Sequence, residues 1–190
     1  MRIDRRLNLV IPLIQDEGEI YIHSTPISRE VFERYYQIIS RAFTDIYIRG
    51  IGPAMLAGPR TAALDIKRIA KEMNLEDDVQ SGLFNEIRRL SNVIAPSKDS
   101  GWQTYPLQEA INNKTISADD LAEVENAISF FTVASCLHRK QELKDFLDGA
   151  VSLWGAQTTL FNCTEYAASL TTSTGGASSG ETPPVSSHPS

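Results

Sequence analysis

The residues of this chain with chemistry to offer are three histidines, two cysteines and several groups of carboxylates. His23 falls in an alternating stretch, His138 in a helical one, and His188 among serines and prolines. No two of them share the i, i+3 or i+4 spacing that makes a helix face a metal chelate. Cys136 and His138 are two apart, which on a helix points them in different directions, so Cys136 reads as a core thiol and His138 as its wet neighbour. Two cysteines are too few for a disulfide framework or a four-thiolate site, and a reducing compartment is expected. No Gly-x-Ser-x-Gly elbow is present and neither cysteine sits in a nucleophile signature, although a triad drawn from distant positions stays open. Gly50 and Gly52 give Gly-x-Gly, but the run continues Pro53-Ala54-Met55-Leu56 and follows a helix where a dinucleotide loop follows a strand, so it reads as an apolar loop. Glu76-Asp77-Asp78 and Asp119-Asp120 lack the spacing of a calcium loop and fall at helix starts, where the macrodipole favours carboxylates. The expectation is a protein that is not an enzyme, with no metal and no cofactor.

Composition narrows the class further. The chain has 190 residues, 42% of them hydrophobic and 22% charged, with a formal net charge of -6. That is enough apolar material for a core, and the acidic balance opposes nucleic-acid binding by phosphate neutralisation. Arg88-Arg89 and His138-Arg139-Lys140 are basic spots too short for a phosphate-binding stripe, and they read as solvated helix faces. No uninterrupted apolar stretch is long enough to span a membrane, and residues 1–6 do not read as a secretory leader.

The elements that must position these residues follow from periodicity. Residues 7–14 (LNLVIPLI) and 19–24 (EIYIHS), separated by Gln15-Asp16-Glu17-Gly18, predict a hairpin at 7–24, with Pro12 marking its first strand as an edge or irregular one. Ser28 caps a helix to about Tyr47 whose stripe is Val31, Phe32, Tyr35, Ile38, Ile39, Ala42, Phe43 and Ile46. Residues 48–59 read as a loop, and a second helix starts near Pro59 and ends near Met73. A third helix is expected over about 76–94, then an irregular link from Pro96 to Pro106 and a short helix at 107–113. Ser117 opens the longest helical stretch. Its pattern turns polar near 139–142 and resumes to Trp154, as one bent helix or two. The fold class is mainly α: a bundle of about five helices with a small N-terminal β-hairpin.

Beyond Gly155 the composition changes. Residues 155–190 hold no Lys or Arg, and sixteen of the last twenty are Ser, Thr, Gly or Pro. The expected organisation is a domain over 1–155, a possible partner-binding segment at 156–170, and a disordered tail at 171–190. Apolar residues in non-helical or terminal segments are the candidate partner-binding set: Ile51, Met55 and Leu56 in one loop, Trp102 and Tyr105 in another, and Leu160, Phe161, Tyr166 and Leu170 before the tail. The alternative is that the loops fold back over the core.

Several stretches taken together carry a family resemblance. They are Leu9–Leu13 with IYIHSTPI at 20–27, EVFERYYQII, GPRTAAL at 58–64, WQTYPLQEA at 102–110, EVENAISFFTVAS at 123–135 and LDGAVSLWGAQTTLFNCTEYAAS at 147–169. In texture and order they resemble the tail assembly chaperones, or tail assembly proteins, of long-tailed (siphovirus-type) bacteriophages and prophages. The resemblance covers about 1–170 and contains no short diagnostic motif. It implies a mostly helical, non-enzymatic protein of the host cytoplasm that binds the tape measure protein, assists tail tube assembly and self-associates as a homo-oligomer. The tail tube protein is a second implied partner, and many such genes also yield a longer product by frameshifting. No catalytic residue is implied. The alternative within the same setting is a structural minor tail protein retained in the virion.

Overall fold

The computed structural model describes residues 7–15, 18–48, 54–97, 101–137 and 155–170, without the side chains of 47, 54–57 and 137. Strands β1 (Asn8–Gln15) and β2 (Gly18–Ser24) form the expected hairpin, with Leu9 opposite Ser24 and Gln15 opposite Gly18. Helices α1 (Arg29–Arg34) and α2 (Tyr36–Ile48) follow. They take the place of the single helix expected to Tyr47 and break at Tyr35. Ser28 caps α1, its hydroxyl accepting the Val31 N–H at 3.3 Å. Then come α3 (Ala54–Glu72), α4 (76–89), β3 (Ser91–Pro96), β4 (Trp102–Pro106), α5 (Leu107–Asn112), α6 (Ala118–Leu137), β5 (Gln157–Thr159) and α7 (Cys163–Ser169).

The architecture corrects the expectation of a mainly α bundle. The strands form one five-stranded antiparallel sheet in the order β4-β3-β2-β1-β5, so the fold is mixed α/β. Three misread segments account for the difference. The helix expected over 76–94 stops at Arg89, and residues 91–96 are a strand beside β2, with Tyr21 opposite Ile94 and Ser24 opposite Ser91. Val93 and Ile94 are both fully buried because both faces of the strand are covered. Such a strand does not alternate and can pass for a helix stripe. The expected irregular link from Pro96 to Pro106 holds β4, paired with β3 and closed by a Ser97 N–H to Gly101 carbonyl bond at 3.0 Å. Within 156–170, Gln157–Thr159 adds a fifth strand on Asn8–Val10. Pro12 thus sits on the stretch of β1 that β5 leaves open, consistent with its expected edge character.

One face of the sheet (Leu9, Ile11, Leu13, Ile20, Ile22, Val93 and Ala95) packs on the helices and forms the main core. At the centre of that layer α6 is buried continuously from Val124 to Ala134. Helix α3 lies against it closely enough that a Cβ on Gly58 would sit 2.5 Å from the Phe130 ring. It begins at Ala54, five residues before the expected start, so Pro59 lies in its second turn and only one ladder hydrogen bond is lost. The expected helical residues 138–154 and the expected tail 171–190 lie outside the described residues.

Helix α4 contains a π-helical turn over Val79–Phe84. The Tyr35 hydroxyl donates to the Asp78 carbonyl at 3.1 Å, inserting a side chain into the backbone ladder at that turn. A Cβ on Gly82 would overlap this hydroxyl and lie 2.8 Å from Tyr35 Cζ. Gly82→Ala is therefore expected to destabilise the protein by about 1–3 kcal/mol, as other overpacking substitutions do. Tyr35→Phe in that background should restore part of the loss, although on its own it removes a hydrogen bond and destabilises. Urea unfolding of the two single variants and the double variant checks this, and additive effects would refute the steric account.

Candidate partner-binding surface

The second face of the sheet carries a smaller and separate cluster. Alternation along the strands sends Val10, Tyr21, His23, Ile94 and Trp102 to this side, while Leu9, Ile11, Ile20, Ile22, Val93 and Ala95 enter the main core. Helix α7 lies across it. Asn162 and Glu165 form a capping box that starts the helix, with Asn162 Oδ1 accepting the Glu165 N–H at 2.9 Å and Glu165 Oε2 accepting the Asn162 N–H at 3.4 Å. Its inward residues Cys163, Tyr166, Ala167 and Leu170 fall at i, i+3, i+4 and i+7, and they pack on Val10, Ile94, Tyr21 and Trp102. Tyr21 is the hub of the aromatic contacts, 5.5 Å from the Trp102 ring and 6.0 Å, edge-on, from the Tyr166 ring. The Tyr166 hydroxyl accepts a hydrogen bond from the Gln157 amide.

A single carbonyl fastens this strap. The Phe161 oxygen accepts from Asn8 Nδ2 at 2.9 Å and from His23 Nε2 at 3.0 Å, which fixes the His23 proton on Nε2. His23 is 2% exposed and its Nδ1 has no hydrogen-bond partner. Burial lowers its pKa from 6.5, against the opposing effect of the Phe161 carbonyl. On the same face, burial and then the hydrogen bond from its hydroxyl to Glu19 push Tyr21 up to about 12, and burial pushes the Cys163 thiol up to about 11. Neither group ionises near neutrality, so Cys163 is not an activated nucleophile.

The cover is incomplete. Leu160 and Phe161, just before α7, are 62% and 50% exposed, and Ile14 on the outer face of β1 is 90% exposed. Across the hairpin end of the sheet the register sets Trp102 opposite Pro96 and Ile14 opposite Glu19, giving an apolar row broken by one carboxylate.

Of the residues singled out from the sequence, Trp102, Tyr166 and Leu170 meet in this cluster, and Leu160 and Phe161 border it. Tyr166 is buried as an anchor and does not present itself to solvent. Tyr105 lies on the opposite face, because three residues along a strand reverse the side, and it lines an open cleft of about 440 Å³ with Gln15, Glu109 and Asn113. Ile51 and the side chains of Met55 and Leu56 lie outside the described residues. Asn8, Val10, Tyr21, His23 and Ile94 were missed as site residues. The alternation of Ile20 and Ile22 with Tyr21 and His23 carried the signal for two of them.

Among the described residues no three His, Cys, Asp or Glu side chains converge as a metal site, and no helix is long and apolar enough to cross a membrane. Comparison of the chain with family models, curated proteins and solved structures finds no match.

The His23 environment makes the strap pH-dependent. Below pH 6.5 the unfolded chain takes up a proton that the folded chain refuses, so stability is complete above that pH and falls as the pH drops through it. The loss is expected to reach up to about 1.4 kcal/mol at pH 5.5. Urea unfolding at pH 7.5 and 5.5 checks it: His23→Gln, which keeps a donor for Phe161 and does not titrate, should flatten the difference.

Proposed function

We propose that this chain is a non-enzymatic tail assembly chaperone of a long-tailed bacteriophage or prophage. It binds the tape measure protein in the host cytoplasm, keeps that protein's apolar helices soluble and assists tube assembly around it. The tail tube protein and further copies of the chain itself are its other partners. The resemblance of residues 1–170 supplies the family. The physical support is one observation: an outer sheet face whose aromatic cluster is covered, among the described residues, by only a seven-residue helix, with Ile14, Leu160 and Phe161 exposed around it. Exposed apolar side chains at the borders of an aromatic cluster are a feature of interaction sites, and a sheet floor of Tyr, Trp and aliphatic side chains suits the apolar stripe of an amphipathic helix.

Co-expression with the tape measure protein of the same phage genome, followed by affinity purification, tests the proposal. The tape measure protein is expected to be recovered in soluble form only when this chain is present, and to co-purify with it. Ile14→Asp should reduce the co-purified amount at least severalfold while leaving the melting transition cooperative. A tape measure protein equally soluble alone and absent from the eluate refutes the chaperone role. Stoichiometric copies of this chain in purified virions would favour the structural tail protein.

A further inference from the structure

Among the described residues, helix α7 differs from every other helix in how it is attached. The remaining helices contribute to, or pack against, the main core on the inner face of the sheet, whose thirty buried residues include none from α7. The outer cluster has four buried residues, two from the sheet (Val10, Ile94) and two from α7 (Tyr166, Ala167). The strand leading into α7 pairs with β1 at three positions only, and the turn between them is fastened through the Phe161 carbonyl. Lifting α7 away would uncover the outer face and leave the inner core closed. Segments with few buried contacts are those that open locally at a fraction of the global stability.

The helix also shows what the face accepts. Four anchors at i, i+3, i+4 and i+7, with a small side chain first, an aromatic ring next, a second small residue and an aliphatic last, sit on a floor of Val10, Ile94, Tyr21 and Trp102. Seven residues reach the Trp102 end of the row at the hairpin end of the sheet but leave its other end uncovered, where Ile14 stays 90% exposed. A longer helix with the same anchor spacing would cover both.

We propose that α7 is an internal stand-in for the client: an amphipathic client helix takes its place on the outer face of the sheet, and residues 160–170 are displaced as the client binds while Ala156 stays in the inner core. In the free chain α7 shields the aromatic cluster from non-specific contacts. Because only the opened chain binds, the apparent affinity for the client is reduced by the fraction of chains that are open, and weakening α7 raises it. The identity of the client rests on the chaperone reading, whereas the exchange of α7 does not.

The test uses the full chain and a fluorescein-labelled peptide of its own residues 160–170 carrying Cys163→Ser. Tyr166→Ala removes the central anchor from the resident helix and leaves the receiving face unchanged. Leu170→Ala is a milder second variant should Tyr166→Ala lose its cooperative melt. Both variants are expected to bind the peptide at least tenfold more tightly than the wild-type chain. Peptide binding should also speed maleimide labelling of the chain's Cys163, read by mass spectrometry, with Cys136 on the inner core unchanged as the reference. A cooperatively folded variant that fails to bind the peptide, or a wild-type chain that binds it with Cys163 labelling unchanged, overturns the proposal. An unlabelled peptide from an amphipathic helix of the tape measure protein is then added as competitor. Displacement of the fluorescent peptide supports the assignment of the client site. Failure to displace it, in a pair that does co-purify, overturns that assignment and leaves the chaperone reading standing.

Discussion

Helix α6 has no solvent face between Val124 and Ala134, and two of the residues it buries there are Glu125 and Asn126. Each must be satisfied inside the protein, and together they fix the helix layer. The Glu125 carboxylate accepts from Lys67 Nζ of α3 at 2.9 Å and from Arg88 Nε of α4 at 2.8 Å. Burial alone would raise its pKa, but the two cations outweigh that and hold it below the ordinary carboxylate value. Asn126 Oδ1 accepts the N–H groups of Ala63 and Leu64 at 3.0 and 3.3 Å, and its amide donates to the Ala122 carbonyl at 2.9 Å. Three helices are thereby held in one register by two adjacent side chains. Removing the carboxylate would strand a half-buried guanidinium, so losing one partner costs far more than the intact pair adds.

With the helices held in that way, the two faces of the sheet are held by different means. The inner face is fixed by a large apolar core that includes a buried Ser24–Ser91 hydroxyl pair at 3.0 Å, and the Ser91 hydroxyl donates onward to the Ile87 carbonyl at the end of α4. That second bond ties the helix end to the strand that follows it. The outer face has a short capped helix, three ladder positions and one shared carbonyl. Polar groups placed there, Asn8 and His23, serve the strap and not the sheet. Their bonds to Phe161 satisfy a carbonyl that neither β5 nor α7 can use.

Much of the inner architecture was legible because its signals are local. Ser28 and Ser117 both act as helix caps, the Ser117 hydroxyl accepting the Asp120 N–H at 3.1 Å, and the stripes of α2, α3 and α6 reach the core. What the sequence hid depends on partners far along the chain. Ser91–Pro96 lies at 3.6-like spacing with Ile87 and Leu90, and only its neighbours β2 and β4 make it a strand. Trp102 and Tyr105 share a loop by composition, yet strand geometry sends them to opposite faces. Gln157–Thr159 is too short to announce itself and becomes a strand because Asn8–Val10 offers an edge. The candidate surface was half visible for the same reason: its helix anchors recur within eight residues, while its floor is drawn from four strands.

The edges of this sheet argue for a partner that binds on the face. An extended partner would have to pair with β4, with the three-residue β5, or with the stretch of β1 that β5 leaves open. On β1 the stretch left free by β5 contains Pro12, and proline is tolerated in a strand where its missing N–H would have pointed outward, so that position offers an incoming strand no donor. On β4 the ladder ends in Pro106 and its middle, Gln103 and Thr104, is polar and exposed. Edges built in this way discourage strand addition. The outer face carries the Tyr21, Trp102 and Tyr166 rings, and among the described residues the one element lying on it is a helix whose own backbone hydrogen bonds are made internally. A helical partner needs nothing from the edges and can use the side-chain floor that α7 uses.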